Sequence, residues 1–306
     1  MSSQVRNLAT QAKLLIERAR ARWAAVDVAV GTLKRFSADD GSSYAAALTY
    51  YTFFSIFPLL VFGIAALGYL TFGNAELQDD ILNAGLETIP MLRDALSPNG
   101  LETIKERRQE LALTGVVLAL YSGSGAVVAL EHALNKLWRV SEEPKFLYKR
   151  LRSVVWLAIL GGAATTSLAL SAVARTLGSF MGDLPGLGQE LGIVLLHAVG
   201  IAVGTLVFAS AFRVLPAKDL AWSAVLPGAI VAATALELLK SLGATYLQAG
   251  AASRNATFGS FATAAGLLVA SYLISQITLL SAEVNVVLAE RRATRQSVPS
   301  DPEEAM

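Results

Sequence analysis

Apolar positions along the chain gather into six long runs, at roughly 45–70, 111–132, 153–177, 190–213, 221–247 and 261–288. About 20 helical residues span the ~30 Å hydrocarbon core of a bilayer, so each run is long enough to cross one. An amphipathic helix of a soluble bundle brings a polar residue to every third or fourth position, and most of these runs do not. They also far exceed the ~10-residue segments of a membrane β-barrel. Backbone groups in lipid have to pair within their own segment, which makes each run a predicted helix. The pattern predicts an all-α fold: a polytopic membrane helical bundle with six transmembrane helices plus an N-terminal amphipathic helix.

That first helix is read over residues 4–36, where Leu8, Ala12, Leu15, Ala19, Trp23, Val26, Val30 and Leu33 recur at spacings of three and four. Arg6, Lys13, Arg18, Arg20, Arg22, Lys34 and Arg35 lie off this stripe. A basic amphipathic helix suits an anionic membrane surface. Packing on the protein's own inner face is the other reading, and the two are compatible. Segment 73–110 has helical patterning of its own (Leu77, Ile81, Leu82, Leu86, Ile89) and is expected to form a short external element. The organisation read from these patterns is a cytoplasmic amphipathic segment at 1–40, a transmembrane domain at 41–290 and a disordered cytoplasmic tail at 291–306. About 40 polar and amphipathic residues precede the first apolar run, the wrong order for a cleavable signal peptide. The first span is therefore expected to act as an uncleaved signal anchor.

Charge fixes the expected orientation. Segments before span 1, between spans 2 and 3, between spans 4 and 5, and after span 6 carry 18 Lys and Arg, against 5 in the alternate loops. The positive-inside rule then puts both termini in the cytoplasm. Composition agrees with a membrane protein, at 54% hydrophobic and 16% charged residues. A soluble domain carries about a quarter charged residues. A net charge of +1 gives no basis for a nucleic-acid partner, and membrane lipids are the expected one. Cysteine is absent, which removes disulfides, thiol nucleophiles and cysteine metal sites.

A charge within a span costs about 2.5–3.5 kcal/mol on insertion scales and needs a reason. Glu237 and Lys240 lie three apart on span 5, on one helix face. His197 on span 4 sits at a similar depth, while Arg175 near the end of span 3 can snorkel. Two readings follow: an outward-opening polar cavity lined by His197, Glu237 and Lys240, or a Glu–Lys pair that locks span 5 into the bundle. On span 6, Ser271, Ser275, Thr278, Ala282 and Asn285 form a small and polar stripe, widened by Gln276 and Glu283. This arc is expected to face the protein interior. Glu283 is expected near the inner end, within reach of Arg139, Arg150 or Arg213. These six residues (His197, Glu237, Lys240, Gln276, Glu283 and Asn285) are the candidates for a substrate pathway.

Packing signals accompany them. Gly200 and Gly204 form a GxxxG on span 4, and Ala158, Gly162 and Thr166 a similar face on span 3. Such faces serve within a chain and between chains, so monomer and homo-oligomer both stay open. Pro58 and Pro227 are expected to kink spans 1 and 5. With two histidines and no HExxH, GxxxxGK[ST] or GxSxG, no catalytic, metal or cofactor site is expected, and the chain does not read as an enzyme.

Four segments carry a family likeness: AAALTYYTFFSIFPLLV at 45–61, NKLWRVSEEPKFLYKRLRSVVW at 135–156, the stretch 212–247 beginning FRVLPAKDL, and 255–288 with its Ala282-Glu283-x-Asn285 element. In this order they resemble the YihY/BrkB inner-membrane family, formerly labelled ribonuclease BN. One departure is Ser281, where the family more often has glycine. The resemblance implies a six-spanning protein of the bacterial inner membrane with both termini cytoplasmic. Members linked to serum resistance or envelope lipid transport imply a transporter or envelope-maintenance role, handling a lipid or amphiphilic anion. A non-transporting scaffold that recruits partners through the N-terminal helix and the 73–110 loop is the alternative. Too few histidines and no metal-ligand pattern speak against the old nuclease label.

Overall fold

The computed structural model describes residues 22–70, 108–141, 151–153, 155–156, 159 and 188–296, with backbone alone over 57–70, 108–120, 122, 188–193, 195–196, 244–263 and 296. Every regular element among them is helical: α1 (Ala24–Ala38), α2 (Gly41–Leu70), α3 (Arg108–Leu137), α4 (Gly188–Val214) and α5 (Trp222–Gln296). The expected spans 1, 2, 4, 5 and 6 all fall on these helices. Most of span 3 (with Arg175), the patterned part of segment 73–110, and residues 1–21 and 297–306 lie outside the described residues. By length and apolarity, three segments qualify to cross a membrane: His197–Val214, Trp222–Gly243 and Ala264–Arg295.

Helix α5 covers both expected spans 5 and 6, from Trp222 to Gln296. A straight helix would separate Gly228 from Asn285 by about 85 Å at 1.5 Å per residue. Instead the Gly228 amide donates to Asn285 Oδ1 at 2.6 Å, and Arg292 Nη1 donates to the Ser223 carbonyl at 3.1 Å. The two arms of α5 therefore run antiparallel, side by side. These pairs centre the reversal at about residue 256, given equal rise along both arms. The chain therefore reverses inside the segment 248–260, between expected spans 5 and 6.

One correction concerns the tail. Arg291–Gln296 continue α5, and Arg291 pairs with Asp27 of α1. That residue and Arg292 are anchors, not parts of a disordered segment.

Apolar residues fill the core and also cover the outside, while several polar groups are buried. Outward-facing residues are large and apolar, among them Tyr50, Phe54, Val194, Leu206, Ile230, Leu238, Leu242 and Val269. Fully or nearly fully buried are Thr49, Ser55, Ser124, Glu131, Asn135, Ser271, Ser275, Glu283 and Asn285. Lipid offers no hydrogen bonds, so polar groups gain only by turning toward one another. The stripe Ser271, Ser275, Thr278, Ala282 and Asn285 is buried throughout, as its spacing predicts. Helix α2 packs along α3, α4 along α5, and α5 also meets α1, α2 and α3.

On α1 the apolar stripe is partly covered, with Val26 and Val30 half-buried. The packed face of the helix is Gly31, Thr32, Arg35 and Phe36, while Trp23 and Leu33 are exposed. The α1–α2 turn passes through Asp40 in left-handed geometry (φ 54°), and a side chain at Gly41 would strike the Phe36 ring.

Candidate functional site

Two polar clusters lie along α4 and α5. The first joins three sequence candidates: His197 Nδ1 stands 3.0 Å from Glu237 Oε1, and Lys240 Nζ pairs with Glu237 Oε2. One carboxylate thus bridges an imidazole on α4 and an ammonium one turn along α5. Local sequence explains the approach. A Cβ at Gly204 would sit 3.1 Å from Ala233 Cβ, and one at Gly200 would sit 3.2 Å from Glu237 Oε2. The GxxxG of α4 therefore receives Ala233 and Glu237, spaced four apart, and seats the carboxylate over bare backbone. Side-chain exposure is 45% for His197, 40% for Lys240 and 16% for Glu237. The cluster is open on the side of its two nitrogen groups.

The second cluster gathers about 10 Å further along the α5 hairpin, away from its turn. Glu283 is fully buried and accepts from Arg35 Nε at 3.2 Å, so its cation comes from α1. The basic partners expected for it were Arg139, Arg150 and Arg213. Arg213 instead donates to the Leu220 carbonyl at 3.1 Å and covers the Trp222 ring, Arg139 caps α3, and Arg150 lies outside the described residues. Arg35 also meets Glu290 at 2.6 Å, Asp39 at 3.5 Å and the Leu137 carbonyl at 3.4 Å. Burial works against its charge, but the hydrogen bond and charge of Glu283 outweigh it and raise the Arg35 pKa above the ordinary value.

Asn285 and Gln276 have other places. Pro227 has no amide proton and obstructs the carbonyl four residues back, that of Ser223. Arg292 donates to this carbonyl, and Asn285 accepts from the next amide, Gly228. The returning arm of α5 thus satisfies the backbone around the proline. Only glycine fits at 228, because a Cβ would collide with the Ser281 carbonyl and the Asn285 amide. Gln276 lies level with Glu237 along the hairpin and donates to Tyr272 Oη at 2.6 Å.

A third pair escaped sequence reasoning: Glu131, fully buried on α3, lies 3.0 Å from Arg152 Nη2. Arg152 also donates to the Leu215 carbonyl, closing the end of α4. Glu131 falls inside the expected second span, so the same intramembrane-charge argument applied to Glu237 points to it. Arg35 gave no comparable signal, being one of several basic residues on an amphipathic helix.

The end of α3 is built from the same materials. Val140 N bonds to Asn135 O at 2.9 Å and Arg139 N to Lys136 O at 3.0 Å, a Schellman closure with Arg139 at φ 51°. Left-handed geometry costs an L-residue roughly 1–2 kcal/mol, and glycine is the usual occupant. Asn135 Oδ1 accepts from Ala217 N at 2.7 Å, joining this turn to the α4–α5 connection. Among the described residues no group of three His, Asp or Glu is arranged to hold a metal.

Residues 32–305 match the family model described as virulence factor BrkB. The chain belongs to the BrkB family. Similar relatives include YfkH of Bacillus subtilis, which carries a ribonuclease-like name, at 27% identity over 84% of this chain and 94% of that one. The inner membrane protein YhjD of Escherichia coli is 27% identical over 81% of this chain and 77% of its own. The UPF0761 membrane protein Nmul_A0452 of Nitrosospira multiformis is 25% identical over 87% of this chain, which spans 62% of that relative's length. No solved structure matches the chain. Membership in BrkB, together with relatives named as membrane proteins and three apolar helical segments, makes this a membrane protein.

Proposed function

We propose that this chain carries a lipid or amphiphilic anion across the bacterial inner membrane, with both termini in the cytoplasm. The observation that carries the proposal is the half-open His197–Glu237–Lys240 cluster within apolar helices. Glu237 holds the site nearly neutral when it is empty. An anionic headgroup that displaces this carboxylate from Lys240 and His197 regains charge-assisted hydrogen bonds, while the apolar outer faces of α4 and α5 accommodate acyl chains. Gln276 lies level with this cluster, and Glu283 with Asn285 lines the inner part of the same hairpin. Of these, Glu283 is the group to move, because Asn285 is engaged with the Gly228 backbone.

The test is flux of labelled phospholipids through proteoliposomes containing purified protein, with Lys240→Met beside it. Movement that requires Lys240 supports the reading. Wild-type flux from the folded variant removes the site assignment, and no flux with any lipid removes the transport reading. The scaffold alternative draws on exposed Trp23 and Leu33 of α1. It predicts that deleting residues 1–34 abolishes function in cells while neutralising Glu237 and Lys240 together does not. Metal-dependent RNA cleavage lost in a point variant would revive nuclease activity instead.

A further inference from the structure

We propose that the groove at the end of α3 binds a phosphate group, presented in the membrane by an anionic lipid headgroup. The groove has a volume of about 380 Å³ and is lined by Trp138, Arg139, Val140, Ser141, Ala217 and Lys218. Among the described residues its charged walls are both cationic. Asp219 follows Lys218 in the chain but is not part of the lining. The Lys218 ammonium stands 5.1 Å from the centre of the Trp138 ring, which forms a buried floor.

Three features separate this from a chance meeting of surface cations. The groove is preorganised: Asn135 holds one wall through its backbone carbonyl and the other through its side chain, and Arg152 secures Leu215 beside them. Arg139 occupies a left-handed position that glycine fills without strain. A cation complementing the helix dipole serves anywhere in the last turn, and Lys136 already does so. The guanidinium at 139 therefore has work beyond closing the helix. Finally, the site lies at the end of the bundle where Arg35, Arg213, Arg291 and Arg292 gather, the expected level of a leaflet's headgroups. A phosphate oxygen accepts from guanidinium, ammonium and the Ser141 hydroxyl, with the glycerol backbone against Trp138. From His197 to Val214 is about 25 Å of helix, so this site is separate from the proposed transport cluster.

The experiment measures binding to the full chain, not flux, so its failure and that of the transport reading are distinct. Native mass spectrometry of detergent-purified protein would compare retention of phosphatidylglycerol with phosphatidylcholine, for wild type, Arg139→Gly, Lys218→Gln and the double variant. Each lost cation should lower the phosphatidylglycerol preference about fivefold, and the double variant by about 25-fold. Arg139→Gly should unfold at the wild-type temperature or above it in neutral lipid, which a structural role for Arg139 would reverse. If it unfolds lower, Lys218→Gln decides: lost preference keeps the site, and retained preference overturns it. No phosphatidylglycerol preference in wild type, or an unchanged one in the double variant, overturns the lipid assignment. Inorganic phosphate titrated into the neutral-lipid sample distinguishes the source. Stabilisation of wild type alone, without a lipid preference, assigns the groove to soluble phosphate, and no response to either ligand overturns the proposal outright.

Discussion

Replacing Arg35 by Met should be among the most destabilising single changes in this protein. The substitution keeps an apolar stem and removes the cation 3.2 Å from Glu283, a carboxylate with 0% side-chain exposure. Breaking a buried ion pair from one side costs about 3–5 kcal/mol, because the remaining charge has no water to turn to. The Glu290 contact is 55% exposed at the carboxylate and adds at most about 1 kcal/mol. Glu283→Gln removes the buried charge and leaves an amide oxygen that still accepts from Arg35, so about 1–3 kcal/mol is expected. The double variant Arg35→Met with Glu283→Gln should therefore be more stable than Arg35→Met alone. Unfolding in mixed micelles titrated with dodecyl sulfate, followed by tryptophan fluorescence, measures all four corners, since Trp138 and Trp156 sit in the apolar core. A cost below about 1 kcal/mol for Arg35→Met, or a double variant no better than that single one, would show the pair to be screened and refute the argument.

The α4–α5 seam gives two further expectations. Gly204→Leu should cost about 1–3 kcal/mol by overpacking against Ala233, measured in the same titration, whereas Gly200→Ala displaces only a flexible carboxylate and should affect flux more than stability. Asn285→Ala should cost about 1–3 kcal/mol and speed hydrogen exchange at the Gly228 amide, which loses its acceptor. Unchanged exchange there would mean that the α5 backbone closes around Pro227 without help.

Much of this fold was legible because lipid imposes a simple rule on sequence. Five apolar runs coincide with helices, and the polar stripe of span 6 lies inside for the reason its spacing suggested. The His197–Glu237–Lys240 grouping was also readable, since charges at matching depth on neighbouring spans have few other partners. On α1 the pattern left open whether the apolar stripe meets the membrane surface or the protein: Trp23 and Leu33 of that stripe are exposed, and the packed face carries Gly31, Thr32 and Arg35. A helix at a membrane surface can leave apolar residues outward at little cost and bury the cation that a neighbouring carboxylate needs. Pairings such as Arg35–Glu283 and Glu131–Arg152 join distant segments, and periodicity within one helix holds no information about them.

The contrast between the two charged clusters bears on how a substrate would pass. The His197–Glu237–Lys240 cluster is half open, whereas the Glu283 cluster is closed by α1: Arg35 holds Glu283, Asp27 holds Arg291, and Gly31 lies against Val287. If this end opens by moving α1, these contacts must release together, and fastening α1 to α5 should stop flux without touching the His197 cluster. Gly31 and Val287 are suited to the test, since a Cβ at 31 would lie 3.4 Å from Val287 Cγ1. That proximity is compatible with the ~3.5–4.5 Å between Cβ atoms that a disulfide requires. The chain has no cysteine, so Gly31→Cys with Val287→Cys introduces the sole thiol pair. Oxidised protein should lose lipid flux and regain it on reduction, with each single variant as a control for the altered packing. Full flux through the locked protein would refute α1 as the moving part. A path past this end would then have to open elsewhere, and the Arg35–Glu283 pair would be a structural fastening alone.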